Sequence, residues 1–421
     1  MPQTTLQTAI GLFALAAFCL LVSSSRRRRD LPAVLESLRI GRWHYFLTGC
    51  AVAYFLTTSG QPLHQTGSLQ RSLLAIGLTW VGFRAGLDLD FRQLRLLQRP
   101  VLGAELLRLT TTFVLVFGLS VALAQIFAGD LSIQNGSAVA ALSAATIAVS
   151  ARLQGFISIY TGRPASPKAG PAAFAANPMA ICFLGLLFPV LVTEDIRYLG
   201  PFQIVGYAPT LAVLLALGLL IGITVDFVLR AHRDGFRCTV LSMAACAAFS
   251  GPSLQLDLPS IFIGFVGGVW VINTTVRKRE FTERAEFASN LVEPLLMGLF
   301  GVVLAQGQFD RPSDPAIIIL VALSLVVIRG LSRSLGDAGS KLLQNRSSPV
   351  RAITEFGWLP MGRNSTAIIL QAAVLPVTFE DTGALAGLLL AVAFSQAIVL
   401  PIRGETLRPA RGPSSNGEQI A

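Results

Sequence analysis

Charge is what this 421-residue sequence has least of. Asp, Glu, Lys and Arg make up 13% of it, against about 25% in a soluble globular chain. So small a complement cannot cover a water-exposed surface. That excludes an ordinary soluble enzyme, a disordered chain and a nucleic-acid-binding domain. Histidine is scarce too: His44, His64 and His232 each fall near the end of an apolar run and form no ligand set. The five cysteines, Cys19, Cys50, Cys182, Cys238 and Cys246, show no CxxC or other metal-binding spacing and read as small apolar packers. No phosphate-binding loop or nucleophile elbow is present. The sequence therefore predicts no metal, no cofactor and no enzymatic activity.

What the chain has instead is apolar length. Hydrophobic residues make up 53%, and the mean hydropathy is +0.64. A bilayer core of about 30 Å needs roughly 20 apolar residues per helix. Thirteen candidate spans lie near 5–24, 44–60, 70–90, 98–127, 134–152, 170–193, 205–229, 238–256, 258–276, 286–308, 315–335, 352–376 and 382–402. The first is no cleavable signal peptide, because its charges, Arg26 to Arg29, follow the apolar run instead of preceding it. The reading is an all-α polytopic membrane protein with the lipid bilayer as its first partner.

Lysine and arginine fix the orientation. With the N-terminus outside, 26 of the 33 basic residues fall in alternate loops and the tail. They are Arg26–Arg29, Arg39 and Arg42; Arg92, Arg95 and Arg99; Arg152, Arg163 and Lys168; Arg230, Arg233 and Arg237; Arg277, Lys278, Arg279 and Arg284; Arg333, Lys341, Arg346 and Arg351; Arg403, Arg408 and Arg411. Only Arg71, Arg197 and Arg311 fall in the opposite loops, while Arg84, Arg108, Arg329 and Arg363 lie within spans. Such an asymmetry is the positive-inside signal, so the C-terminus is expected in the cytoplasm of a cell-membrane protein. The net charge of +10 is thereby a topology signal that needs no nucleic-acid partner.

Two spans read as interrupted. The fifth is rich in Ala, Ser and Thr and lacks large apolar residues around Ser143 to Thr146. The twelfth holds Gly357, Pro360, Gly362 and the polar run Arg363-Asn364-Ser365-Thr366. Irregular backbone at membrane depth is tolerated only where it is buried in protein or lines a wet cavity. The two spans are seven apart and run in opposite directions. Helices 2–6 and 9–13 then form two inverted repeats with a broken helix in each, the layout of many secondary transporters, whose substrate sits where the broken helices meet. The other reading is two packing helices whose small residues allow close approach. The chain divides accordingly: an extra helix and basic loop over 1–39, a first repeat over 40–194, connecting helices over 195–257, a second repeat over 258–402, and a tail over 403–421.

Several segments are similar to one family. LTWVGFRAGLDLDFRQLRLL (78–97) resembles the stretch ending the third helix of cation:proton antiporters. AALSAATIAVSARLQ (140–154) resembles a helix of the Kef-type potassium/proton branch, and PSIFIGFVGGVWVINT (259–274) the glycine-rich helix opening the second repeat. ERAEFASNLVEPLLMGLFGVVLAQGQFD (283–310) resembles the family's Glu-Pro helix, and GWLPMGRNSTAIIL (357–370) its second broken helix. The matches run in order over about residues 40–402. The resemblance is to the cation:proton antiporter superfamily, with a Kef-type, sodium–proton exchanger-like membrane domain. It implies a homodimer whose core, helices 4–6 and 11–13, moves against a panel formed by the rest. It also implies exchange of a monovalent cation, K⁺ or Na⁺, for protons.

The sequence departs from that family where the ion should bind. The resemblance expects an aspartate on the sixth helix, but the pair reads Asn177-Pro178; the expected glutamate of the twelfth helix is replaced by Asn364 or Ser365. The basic residue of the eleventh helix remains, as Arg329. Thr146, Asn177, Arg329, Arg363 and Ser365 are thus the expected lining of the pathway. Glu105, Glu293 and Glu355 are candidates for the proton-carrying carboxylate, since ionisable residues within spans are functional candidates. Each also has a structural reading: Glu105 with Arg108 three residues on, Glu293 as a polar contact beside Pro294, Glu355 as a neutraliser of Arg329 or Arg363. Asp226 with Arg230 reads as an interfacial pair, Asp88 and Asp90 as loop anchors, and Arg84 as a residue reaching the inner surface. Two other functions stay open: an anion or carboxylated solute at an arginine-lined site, or a non-transporting membrane sensor or assembly partner.

Overall fold

The structure is a computed structural model. It describes residues 43–58, 67–96, 99–128, 135–149, 171–191, 197–199, 202–204, 206–232, 234–275, 278–310, 315–344, 364–374, 386–393 and 395. The helices are α1 (Trp43–Thr58), α2 (Gly67–Gly86), α3 (Phe91–Leu96), α4 (Arg99–Ala128), α5 (Asn135–Val149), α6 (Pro171–Leu191), α7 (Tyr207–Ala231), α8 (Gly235–Gln255), α9 (Ser260–Thr274), α10 (Lys278–Asp310), α11 (Pro315–Gln344) and α12 (Ser365–Val374). Residues 386–393 are also helical. Every expected span from the second onward meets one of these, and those from the fourth to the twelfth share their helix's number. The first span lies outside the described residues. Two features were not foreseen: the short α3, and an antiparallel hairpin, β1 (Arg197–Leu199) with β2 (Phe202–Ile204), in which Tyr198 faces Gln203.

This is an all-helical, multi-pass membrane protein, and its surface shows why. α11 is amphipathic in the sense opposite to a soluble helix. Ala322, Leu325, Arg329, Ser332 and Arg333 recur at helical spacing on its buried face, while Ile319, Leu320, Leu323, Val327, Leu331 and Leu335 are exposed. A helix that hides its charges and shows its leucines suits lipid, not water. α7 likewise exposes Leu219, Leu220, Ile223 and Phe227 while burying Leu214, Ile221 and Val225. Tyr207–Ala231, Glu280–Ala305 and Ile318–Leu335 are each long and apolar enough to cross a bilayer.

Glycines decide how the helices meet. In α2, Gly82 and Gly86 are four apart, as are Gly264 and Gly268 in α9. A Cβ on Gly82 would collide with the carbonyl of Ile261, and one on Gly86 with that of Phe265. In return, a Cβ on Gly264 would strike the Thr79 carbonyl and one on Gly268 the Phe83 carbonyl. The two helices therefore approach backbone to backbone through reciprocal GxxxG faces, an association that works without a hydrophobic driving force. The α1–α10 contact repeats the device: Gly49 abuts the Gly298 carbonyl, Gly301 abuts that of Phe46, and Cys50 Sγ donates to the Gly301 carbonyl at 3.4 Å. α9 presents its other side to α7, where Gly222 receives Trp270. α8 ends in a Schellman turn, with Asp257 in the left-handed region at φ 50°. There Leu258 N donates to Ser253 O at 2.8 Å and Asp257 N to Leu254 O at 3.2 Å.

Gly264→Val should lower the unfolding temperature of the purified protein, on the scale of the roughly 1–3 kcal/mol that overpacking costs. Gly118→Ala should not, because nothing among the described residues lies within 4 Å of its added methyl. Thermal unfolding in detergent, followed by intrinsic tryptophan fluorescence, checks both. Equal stability of Gly264→Val and the parent chain would contradict the seam.

Candidate functional site

Four of the expected site residues lie on or beside α5. That helix packs against α4, α6, α11 and α12, so Thr146, Asn177, Arg329 and Ser365 lie on α5 itself and on three of its neighbours. Residues 141–149 of α5 are all buried. The helix is continuous from Asn135 to Val149, which corrects the expected interruption around Ser143 to Thr146. Ala, Ser and Thr there serve burial between neighbours, and Thr146 Oγ1 donates a hydrogen bond to the Ser143 carbonyl at 2.9 Å, within its own helix. The twelfth expected span is helical from Ser365, where Ile368 N donates to Asn364 O at 2.9 Å to open α12. Ser365 is fully buried. Arg363 and Glu355 lie outside the described residues, and Glu105 lies on α4 with its side chain outside them.

Two arginines hold the end of α5. Arg329 Nε donates to the Ala148 carbonyl at 3.2 Å, and Arg333 Nη2 donates to the Val149 carbonyl at 3.0 Å. Arg329 is 4% exposed and Arg333 2%. Carbonyls in the last turn of a helix have no partner further along that helix and carry the negative end of its dipole. Cations are the groups that such an end attracts. Arg108, on α4 and 8% exposed, is near enough for its charge to act on Arg329.

Arg333 corrects the sequence reading, which put it in a cytoplasmic loop. α11 runs on to Gln344 and carries Arg333 inward. Its spacing of four from Arg329, with leucines opposite, was the signal that places both on one face.

Buried oxygens and amides also occur on α5, α6 and α12. Asn177 sits in α6 just before Pro178, which stays inside the helix. Its Oδ1 is buried without a hydrogen-bond partner among the described residues, as are Ser143 Oγ and Gln371 Nε2. Gln371 Oε1 accepts from Ile261 N at 3.1 Å and so ties α12 to the start of α9. Glu293 is half-buried on α10, a helix that packs against α1, α2, α8 and α12.

A second polar cluster closes the end of α2. Asp90 Oδ2 pairs with Lys278 Nζ at 2.8 Å and Oδ1 accepts from Arg92 N at 3.0 Å. Asn273 accepts from Phe91 N and donates to Leu89 O, both at 3.0 Å. Arg84 pairs with Asp88 at 2.6 Å and lies 3.5 Å from Glu286. The two aspartates are thus the loop anchors expected, and Arg84 is tied to acidic partners. Asp226 pairs with Arg230 at 2.6 Å, also as expected. Burial alone would raise the Asp90 carboxyl, but the Lys278 hydrogen bond, the Arg92 N–H and the charges of Lys278 and Arg92 hold it below the usual range.

Helices arranged in this way define a class: the fold is that of the sodium/proton antiporters. Among solved structures, the chain is similar to the sodium proton antiporter MjNhaP1 of Methanocaldococcus jannaschii, with a TM-score of 0.65 and 13% identity, covering 96% of this chain and 98% of that one. No family model and no curated protein matches the chain.

Asp90→Asn should destabilise the protein at neutral pH by about 1–3 kcal/mol, the scale of a hydrogen bond to a charged group. Because the folded carboxyl titrates below its unfolded value near 3.9, its contribution is complete at neutral pH and is lost as pH falls through the folded value. The gap in unfolding temperature between Asp90→Asn and the parent chain should therefore shrink below about pH 4. A gap of constant size from pH 7 to 3.5 would contradict the pairing.

Proposed function

We propose that this chain is a secondary transporter that exchanges a monovalent cation, K⁺ or Na⁺, for protons by alternating access. The observation that carries the reading is the likeness to a sodium proton antiporter over 96% of the chain. The pattern of helix pairs adds to it. If α1, α2, α4 and α5 correspond in order to α9, α10, α11 and α12, then the α2–α9 pair exchanges with α10–α1. Both of those pairs are glycine-lined and broad. The α4–α11 and α5–α12 pairs map onto themselves, and both are in contact. This supports inverted repeats over 40–194 and 258–402, joined by 195–257. The protein is read as a homodimer in the cell membrane, with its N-terminus outside and its C-terminus in the cytoplasm.

The pathway is assigned to Thr146, Asn177, Arg329, Arg363 and Ser365. With Pro178 in place of an aspartate, the proton falls to Glu105, Glu293 or Glu355. One observation favours a second substrate class, an anion or carboxylated solute: the buried Arg329 and Arg333 at the end of α5.

In everted vesicles, adding sodium or potassium chloride should collapse a dye-reported proton gradient between pH 6 and 9. One of Glu105→Gln, Glu293→Gln and Glu355→Gln should abolish that response. Full flux in all three rules out a replacement carboxylate among them. No response in the parent chain at any pH removes the exchange and leaves a sensor or assembly role. A response that follows the anion instead of the cation and is lost on Arg329→Ala establishes the second class.

A further inference from the structure

We propose that α3 is a lipid-binding element at the membrane surface. Arg92 and Arg95 hold the phosphodiester headgroup of an anionic phospholipid such as phosphatidylglycerol, and Phe91 rests against its acyl chains. The inference goes beyond the transport reading and needs only that the chain crosses the bilayer many times.

Length places α3 at that surface. α2 has 20 residues, about 30 Å at 1.5 Å per residue, which matches one bilayer core. Residues 87–90 alone separate its last residue, Gly86, from Phe91. They are tied down at every step. Leu87 and Leu89 are buried, and Leu89 N donates to Gly86 O at 3.0 Å. Asn273, near the end of α9, donates to Leu89 O at 3.0 Å and to Val269 O at 2.7 Å. Its Oδ1 accepts from Phe91 N, and Asp90 Oδ1 accepts from Arg92 N. α3 thus starts from a fixed point on the end of α9.

The face it presents is mixed in a particular way. Phe91 is 47% exposed, although Leu87 and Leu89 just before it are buried. Arg92 and Arg95 are exposed as well. Offsets of three and four residues put all three side chains on one side of the helix. An aromatic ring beside guanidinium groups suits the boundary between acyl chains and headgroups.

Charge singles this face out. Other exposed arginines are balanced locally: Arg230 pairs with Asp226 at 2.6 Å, Arg284 with Glu280 at 3.0 Å, and Arg237 lies 3.5 Å from Asp234. Among the described residues, neither Arg92 nor Arg95 is in an ion pair. α3 itself holds two arginines and no acid. The nearby Asp90 carboxylate feels the charge of Arg92, but Lys278 Nζ already meets it at 2.8 Å. Guanidinium forms paired hydrogen bonds with phosphate, and basic side chains at a membrane surface draw anionic lipids.

The test uses purified protein in neutral detergent, titrated with dispersed phosphatidylglycerol or phosphatidylcholine, with bound lipid counted by native mass spectrometry. The parent chain should retain phosphatidylglycerol in preference. Arg92→Gln and Arg95→Gln should each weaken that retention about fivefold, the scale of one basic side chain at an anionic surface. Phe91→Ser should weaken it too. Arg230→Gln combined with Arg237→Gln should match the parent, because those arginines already have carboxylate partners. Full retention in the combined Arg92→Gln and Arg95→Gln variant overturns the proposal, as does an equal loss in the Arg230 and Arg237 control. Displacement of the lipid by millimolar inorganic phosphate marks a free-anion site and overturns the lipid assignment. A second measurement needs no variant. Phosphatidylglycerol, but not phosphatidylcholine, should slow phenylglyoxal modification of Arg92 and Arg95, read by mass spectrometry of the digested protein. Unchanged labelling overturns the proposal. Neither experiment requires transport, so a chain that moves no ion defeats the proposed function and leaves this inference standing.

Discussion

Helices inside a bilayer gain nothing by hiding apolar surface from one another, because lipid is as apolar as leucine. Whatever joins them must come from close contact and from polar groups that have nowhere else to go. This protein meets that constraint with backbone. Where α2 crosses α9 and where α1 crosses α10, glycine lets a carbonyl of one helix rest against the Cα of the other. Side-chain hydrogen bonds supplement these seams at single points: Trp80 Nε1 reaches Ser289 Oγ at 3.2 Å between α2 and α10, and Cys50 meets the Gly301 carbonyl. The leucines and phenylalanines that would fill a soluble core are instead free to face outward.

The same constraint explains the arginines. The last carbonyls of a helix have no partner within it and need donors from elsewhere. α11 supplies donors to two of them by turning its charged face inward. Each guanidinium spends an N–H on a carbonyl and brings a full charge to the negative end of α5. Pro178 follows Asn177, whose Oδ1 is buried, within a helix that continues to Leu191.

Much of this was legible in the residues. Apolar length marked the position of each span from the second onward, because hydropathy is what the bilayer selects. The glycine pairs of α2 and α9 stand in the sequence as four-residue repeats, though which helix each would face is a property of the fold. Other parts were hidden for physical reasons. Small polar residues at 143–146 suggested a break because they carry little apolar surface, yet they are the residues that let α5 pack closely among its neighbours as a continuous helix. Arg333 was placed outside the membrane because the apolar run fades near residue 335. Burial depends on the face a side chain occupies as well as on its distance from the end of the run. That the Asn177 and Ser143 oxygens find no partner among the described residues could not be read from sequence, since satisfaction is decided by neighbours far along the chain.

Where the contacts are broad and where they are thin bears on motion. Sorted by the core and panel that the resemblance implies, the wide interfaces fall within each part. α2–α9, α1–α10 and α7–α9 lie inside the panel, and α4–α11, α4–α5 and α5–α6 inside the core. Among the described residues, the interfaces between the two parts, such as α6–α9, α9–α12 and α2–α12, are thin. One is a glycine contact, Gly185 beneath the ring of Phe262, and another is the bond from Ile261 N to Gln371 Oε1. Backbone-to-backbone seams resist sliding, because carbonyls and glycines interlock at fixed positions. A ring lying over a glycine and a single side-chain hydrogen bond do not interlock in that way. Rigidity among the described residues is therefore concentrated in the glycine seams of α2–α9 and α1–α10.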